Sequence, residues 1–212
     1  MSVLILLGLM LAAWIIDWTF VFRVWPEGLE RLQSILAEDL ARLNRLECWC
    51  DDLPRLAAGT ANLLYSSLFR VTGVHDMGAS FADGAALSIP DTIVRKTYVD
   101  NYEAIRMAMV GTQLFGMRLA TLLVAVPCVA MVYGVSLADG LTQRAIRRTS
   151  GGRESANLYH RAKHLQMMLL TTTAAVSLLL PVSIDPRSLW VSNAIIVAIL
   201  ARIQWAYYKK HL

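Results

Sequence analysis

The chain has 212 residues, of which 56% are hydrophobic, and its formal net charge is +4. This apolar content is high for a soluble globular domain and lies in long runs, so we predict an integral, all-α membrane protein. Three cysteines are too few for a disulfide framework. The modest positive charge lies in one central loop and at the C-terminus, which indicates membrane orientation more than nucleic-acid affinity.

The first apolar run predicts a retained membrane anchor over residues 1–25. About 20 apolar residues span the hydrocarbon core of a bilayer. No Lys or Arg precedes the run and no A-x-A cleavage signal follows it, which argues against a secretory signal peptide. Asp17 interrupts the run, at a cost of about 2.5–3.5 kcal/mol unless the carboxyl group finds a partner. It either reaches the outer interface alone or pairs with a basic residue of another span.

Residues 26–103 are predicted to form a mostly helical, extracytoplasmic segment. Leucines at three- and four-residue steps predict an amphipathic helix over 26–47, with Asp39 at one core position. The pattern favours packing against the rest of the chain, or lying on the membrane surface, over a homotypic coiled coil. The segment holds more acidic than basic residues, so it can face the extracytoplasmic side without violating the charge rule.

The rest of this segment predicts a second helix over 53–71, capped by Asp52, and a glycine-rich loop over 73–90. Mid-run polar residues argue against a full membrane span for the second helix, although a re-entrant path stays open. No spacing here matches a metal-ligand frame, so we predict no metal or cofactor. The groups considered and set aside are Cys48 with Cys50, and His75 with Asp76 and Asp83.

The second membrane span is predicted over 104–138. Helical spacing of apolar residues begins at Asp91, so one unbroken helix is expected to run from outside into the membrane. Arg118 falls near the outer end of this span, at a depth similar to that of Asp17. We consider two alternatives, an Asp17–Arg118 ion pair or two charges that reach the surface separately.

The segment 139–164 is predicted to be a basic cytoplasmic hairpin. It holds six Lys or Arg residues against two acidic ones, and short basic loops resist translocation. Gly151 and Gly152 break it in the middle, so two helical arms are expected to project from the membrane and meet at a glycine elbow.

Two further spans are predicted over 165–184 and 189–208, followed by a short tail over 209–212. Arg202 lies near the inner end of the last span, where its long side chain can extend to the cytoplasmic surface. Trp205, Tyr207 and Tyr208 are typical of an interfacial aromatic belt. The expected layout therefore has four transmembrane helices with both termini cytoplasmic, and its structural intramembrane charges are Asp17, Arg118 and Arg202.

A family resemblance rests on the basic hairpin. The segment RESANLYHRAK at 153–163, with the preceding Arg147-Arg148 and Gly151-Gly152, resembles the inner-membrane proteins of integrating conjugative elements and related plasmids. That family is known only as a domain of unknown function. The resemblance implies a multi-pass protein of the bacterial inner membrane that takes part in DNA transfer beside a type IV secretion apparatus and its coupling ATPase. It brings no catalytic residues.

Three classes of function remain to be compared. The first is a non-enzymatic scaffold that binds the coupling ATPase or another transfer subunit, alone or in a homo- or hetero-oligomer; its partner-binding residues are Arg153, Glu154, Tyr159, His160, Arg161 and Lys163. The basic residues among these serve orientation equally well. The second class is direct DNA contact, and the third is a membrane enzyme or small transporter. No Walker loop, serine elbow or H-E-x-x-H helix is present, so we predict no enzymatic activity.

Overall fold

The computed structural model describes residues 2–45, 52–82, 89–150 and 156–208, and throughout these ranges its regular structure is helical. The predicted all-α class is therefore confirmed. Two short π-helical segments, Phe20–Val24 and Ser66–Arg70, continue the first and third helices. The helices are α1 Ser2–Thr19, α2 Leu29–Asn44, α3 Leu53–Tyr65, α4 Val74–Ala82, α5 Ile89–Asp100, α6 Tyr102–Thr149, α7 Ala156–Leu179 and α8 Pro186–Ala206.

Two compact units divide the chain. Unit 1 comprises residues 1–121 and 178–183, and unit 2 comprises 122–177 and 184–212. Helix α6 contributes its first turns to unit 1 and the remainder to unit 2. Its 48 residues rise about 72 Å at 1.5 Å per residue, more than twice the thickness of a bilayer core.

Among the described residues, three helical segments are long and apolar enough to cross a membrane: Leu4–Val24, Tyr102–Thr149 and Pro186–Ala206. These segments overlap the predicted first, second and fourth spans, and the second of them extends beyond the predicted bounds of 104–138. The predicted third span, 165–184, corresponds to α7, which ends earlier, at Leu179. Chain direction changes there because Pro181 cannot continue the backbone hydrogen bonding of a helix.

Helix α2 buries part of the predicted leucine stripe, with Asp39 among it, in the interior of unit 1. Its buried residues are Leu32, Ile35, Asp39 and Leu43, whereas Leu40 is 41% exposed. The buried stripe is thus shifted toward the carboxylate, which has a charged partner inside the unit. Helical residues begin later than expected, at Leu29.

Close contacts join α1 and α3 to the first turns of α6 in unit 1. Thr60 Oγ1 on α3 donates a 2.8 Å hydrogen bond to the carbonyl oxygen of Gly116. A Cβ atom built on Gly116 would lie 2.6 Å from Ala61 Cα, so the helices meet backbone to backbone. Trp14 Nε1 on α1 donates to Thr112 Oγ1 at 3.2 Å. Small residues and interhelical hydrogen bonds of this kind are typical of helix packing in membranes.

The predicted loop over 73–90 is wrong for its first part, because α4 occupies Val74–Ala82. Gly73, at φ +75°, separates this helix from the preceding one. Residues 83–88 lie outside the described part of the chain, as do Cys48, Cys50 and Asp83.

Two local details also differ from expectation. Asp52 makes no capping hydrogen bond and instead pairs with Arg55 at 3.6 Å. The helix expected to run unbroken from Asp91 is interrupted at Asn101, whose side-chain amide donates to the Thr97 carbonyl oxygen at 2.9 Å. Asparagine side chains compete in this way with regular helical hydrogen bonding.

In unit 2, α6 and α8 run in the same direction. Residues 122–133 of α6 line a groove with Trp190 and Val197 of α8. Further along both helices, Asp139 contacts Arg202. Helix α7 runs in the opposite direction, since it begins beside the end of α8 and its Thr173 accepts a 2.5 Å hydrogen bond from Asn193 near the middle of α8.

Candidate functional site

The end of α6 carries arginines that lie on tyrosine rings at the end of α8. Arg144 Cζ is 5.2 Å from the ring centroid of Tyr208, and Arg147 Cζ is 3.8 Å from that of Tyr207. The two arginines are three residues apart and therefore share one helix face. Because a guanidinium is attracted to an aromatic face, these contacts hold both side chains in defined positions.

Tyr159, in the first turns of α7, completes this arrangement. Its ring packs edge-on against Tyr208, with centroids 5.5 Å apart, and against His160 at 5.2 Å. The start of α7 is therefore attached to the end of α8 by aromatic contact, which is worth about 0.5–1.5 kcal/mol beyond area burial. We call Arg144, Arg147, Tyr159, Tyr207 and Tyr208 the arginine–tyrosine cluster.

The six residues predicted to bind a partner fall into three groups. Tyr159 is half-buried and packs within the cluster, where it holds the start of α7 against Tyr208. The side chains of His160, Arg161 and Lys163 are exposed, and Ala162 between them is buried. Arg153 and Glu154 lie outside the described residues. The structure therefore leaves three of the predicted residues, His160, Arg161 and Lys163, accessible around the exposed sides of α7, and we call them the α7 basic surface.

Next to the cluster, Trp205 Nε1 donates a 2.9 Å hydrogen bond to Tyr133 Oη. The Trp205 ring also packs against Tyr208, with centroids 5.5 Å apart. The predicted aromatic belt thus has a second role, because its members connect α8 to α6 and support the arginines. Sequence spacing alone missed this role, since it requires knowing that α6 and α8 are parallel.

Arg202 pairs with Asp139, with 2.6 Å between Nε and Oδ2. We predicted that Arg202 reaches the surface by extension; it is partly exposed as expected, but it has an anionic partner. A Cβ atom on the neighbouring Gly140 would lie 2.8 Å from the Arg202 carbonyl oxygen, so α6 and α8 are in close contact here.

Replacing Asp139 with Asn is expected to change the free energy of unfolding by less than about 1 kcal/mol. The side chains of the pair are 54% and 46% exposed, so solvent screens much of their attraction. Denaturant titration of the purified protein in detergent measures the difference. A loss of several kcal/mol contradicts the prediction and indicates that the pair is shielded from water in the solubilised protein.

A second polar cluster is buried in unit 1 around Arg118. Its Nε and Nη2 atoms each lie 3.0 Å from Asp39 Oδ2. Its Nη1 and Nη2 donate to the carbonyl oxygens of Leu180 and Val182, the latter at 2.9 Å. Ser183 donates to Asp39 Oδ1 at 2.6 Å. The guanidinium thus joins α2, α6 and the α7–α8 turn, and we call these residues the Arg118 cluster.

Both alternatives proposed for Asp17 and Arg118 are wrong. Arg118 is paired with Asp39, and neither charge extends separately to the surface, because the two residues are only 3% and 8% exposed. Asp17 packs against α6 at Gly111, where an added Cβ would lie 2.6 Å from Asp17 Oδ2. The signal for the true partner was present, since Asp39 occupies a core position of an amphipathic helix.

The contacts at these sites are ion pairs, hydrogen bonds and ring contacts between helices. Among the described residues, His, Cys, Asp and Glu side chains form no group of three or more that could hold a metal ion. His75, one of the groups considered above, instead shares a 2.8 Å hydrogen bond with Tyr65. The accessible groups at the ends of α6 and α7 are cations, which suit anionic partners.

Comparison with known proteins identifies the family. No curated protein and no solved structure matches the chain. A family model described as "IncC plasmid conjugative DNA transfer protein DtrJ-like" matches residues 24–209, which include α2 to α8. The resemblance to proteins of conjugative elements is thereby confirmed, and a part in conjugative DNA transfer follows from it. The chain belongs to the DtrJ-like family of IncC plasmid conjugative DNA transfer proteins.

Proposed function

We propose that this protein is a non-enzymatic inner-membrane subunit of a type IV conjugative DNA transfer system. In this proposal it binds and positions the coupling ATPase through the α7 basic surface. The observation that carries the proposal is that one side chain at the start of α7 packs inside the protein while its polar neighbours face outward. Tyr159 attaches the helix to the end of α8, while the side chains of His160, Arg161 and Lys163 are exposed.

Four membrane crossings are part of the proposal, and chain direction supports them. Helices α6 and α8 are apolar enough to cross a membrane and run in the same direction within unit 2. A chain that crosses twice in one direction must return between the two crossings. Helix α7 is the segment between them, and its 24 residues extend about 36 Å, which is sufficient for a bilayer core of about 30 Å.

The ends of α6 and α7 that meet at the basic hairpin are assigned to the cytoplasm by their charge. Arg144, Arg147 and Arg148 precede the glycine elbow and Arg161 and Lys163 follow it. Such an excess of Lys and Arg is retained on the cytoplasmic side. The same assignment puts the Arg118 cluster and the segment 26–103 on or near the outer side and both termini inside.

The coupling ATPase suits this surface as a partner because both proteins serve DNA transfer at the same membrane. A cationic patch on a helix end favours an acidic partner surface and raises the association rate by electrostatic steering. The competing explanation is that these charges only orient the protein in the membrane. The experiment must therefore separate loss of a partner from loss of insertion.

A triple variant, His160→Ala with Arg161→Ala and Lys163→Ala, is expected to lower the frequency of DNA transfer by at least about tenfold, as expected for loss of several interface contacts. Co-purification with the coupling ATPase should fall in parallel. The control variant, Arg95→Ala with Lys96→Ala, removes two exposed charges from α5 and should leave both unchanged.

A topology reporter at the glycine elbow and the amount of protein in the membrane fraction should be the same for both variants. Normal transfer and normal co-purification in the triple variant contradict the proposal. Loss of transfer with undiminished co-purification also contradicts it, since the α7 basic surface then serves another step.

A further inference from the structure

Unit 2 contains an apolar groove of about 470 Å³ between α6, α7 and α8. This volume lies within the range of pockets that hold one small-molecule ligand. The walls are mostly aliphatic and aromatic, and none of the lining residues carries a formal charge. From Leu122 to Tyr133 on α6 the groove extends over eleven residues, or about 16 Å, which is about half the thickness of a bilayer core. The groove can therefore hold one hydrocarbon chain but offers no ion pair to a charged group.

Two polar side chains lie at the same end of this groove. Tyr133 is the last residue of α6 that lines it and Gln166 is the first residue of α7, and these two helices run in opposite directions. Tyr133 Oη accepts the hydrogen bond of Trp205 at 2.9 Å. The hydroxyl proton of Tyr133 has no acceptor among the described residues, so it remains available to a ligand.

The amide oxygen of Gln166 is buried and unpaired. The residue is only 7% exposed, and within the described chain no donor reaches its Oε1. An unpaired buried amide is costly, above all in a membrane, where no water replaces the missing bond. The last torsion angle of a glutamine is broad, so the amide can turn its oxygen toward a donor that enters the groove. Gln166 therefore indicates a ligand that donates a hydrogen bond.

A hydroxyl group matches both polar side chains. It can donate to Gln166 Oε1 and accept from the hydroxyl of Tyr133, whereas an ester or ether oxygen only accepts and a plain acyl chain does neither. A charged head is disfavoured, because the uncharged walls would leave it without a partner. The groove thus selects for a hydrocarbon chain that ends in a neutral hydroxyl group.

We propose that the groove of unit 2 binds a neutral long-chain alcohol. The hydroxyl group lies at the end formed by Gln166 and Tyr133. The chain extends along α6 toward Trp190, which is the first residue of α8 to line the groove and therefore lies at the opposite end. The inference does not depend on the coupling ATPase and involves none of the side chains of the α7 basic surface.

The experiment uses the full-length protein in phosphatidylcholine bilayers, and the probe is dodecanol with bromine at the far end of its chain. Because bromine quenches tryptophan fluorescence on contact, a chain in the groove is detected through Trp190 as a saturable loss of fluorescence. The matched probe is the methyl ether of the same compound, which accepts a hydrogen bond but cannot donate one. Half-maximal quenching should require about tenfold less of the alcohol than of the ether, the effect of one buried hydrogen bond.

Single variants test the assigned side chains. Gln166→Met has a similar volume and should abolish the preference for the alcohol. Gln204→Met, at a second buried glutamine that does not line the groove, should keep it. Trp190→Phe should remove the saturable quenching, and Ala174→Phe, which fills part of the groove, should weaken it for both probes.

Three results overturn the proposal. Equal quenching by the alcohol and the ether in the unchanged protein shows that the Gln166 amide does not recognise the hydroxyl group. A preference that survives Gln166→Met, or saturable quenching that survives Trp190→Phe, shows that the probe binds elsewhere. The comparison of the two probes in the unchanged protein stays decisive if a variant fails to fold.

Discussion

Replacing Arg118 with Leu is expected to lower the free energy of unfolding by about 3–5 kcal/mol, the loss that follows when one partner of a buried ion pair is removed. The Arg118 and Asp39 side chains are only 10% and 11% exposed, so water cannot replace the missing cation. The substitution also leaves the carbonyl oxygens of Leu180 and Val182 without their donor. Reversible unfolding in detergent measures the loss.

Companion variants separate the charge from the hydrogen bonds. Arg118→Lys keeps the charge but loses the planar fork, so it should be intermediate in stability. Asp39→Leu combined with Arg118→Leu should recover part of the loss, because no unpaired charge then remains. Arg106→Leu, an exposed arginine of the same helix, is the control and should have little effect. If Arg118→Leu is no less stable than this control, the ion pair is not a buried structural contact.

Introducing Leu at position 116 is expected to disrupt the packing of α3 on α6 in unit 1. Even a Cβ atom there lies 2.6 Å from Ala61 Cα and 3.1 Å from the Thr60 carbonyl oxygen, and both neighbours are backbone atoms that cannot move aside cheaply. Gly116→Ala should therefore cost about 1–3 kcal/mol, the range for overpacked sites, and Gly116→Leu more.

The chain supplies a matched control on the same helix. Gly134 is exposed and has no atom within 4 Å of an added Cβ, so Gly134→Ala should be neutral or stabilising by up to about 1 kcal/mol, because Ala favours a helix. Thermal unfolding of Gly116→Ala, Gly116→Leu and Gly134→Ala tests the contrast. Similar effects of alanine at the two positions contradict the described α3–α6 contact.

The prediction of α2 shows that the local sequence pattern determines where a helix forms but not every residue that it buries. Leucine spacing located the helix correctly, because amphipathic periodicity is a property of the segment itself. Asp39 is buried at the core position expected for it, but Ile35 is buried as well and Leu40 is 41% exposed. That choice depends on Arg118, which is distant in sequence, and periodicity cannot identify such a partner. The short helix α4 was missed for a related reason, since its glycine and small residues are equally typical of loops.

The arginine–tyrosine cluster combines two predictions that the sequence made separately. Arg144 and Arg147 were interpreted as orientation signals, and Tyr207 and Tyr208 as an interfacial belt. Both interpretations concern position relative to a membrane, and each needs only the composition of its own segment. The contact between them requires α6 and α8 to be parallel, which is a property of the tertiary fold. The exposure of His160, Arg161 and Lys163 follows from the polarity of their own segment, because a charged side chain in water needs no partner within the chain.

Arg118 holds the α7–α8 turn through main-chain oxygens, and this has a consequence for evolution of the turn. Every amino acid supplies a carbonyl group, so the outward-facing side chains of Leu180 and Val182 are free to vary among relatives without loss of these bonds. A change in the length of the turn is expected to break these bonds, because one inserted or deleted residue displaces both carbonyl oxygens together. Homologous turns should therefore tolerate point substitution and resist gaps.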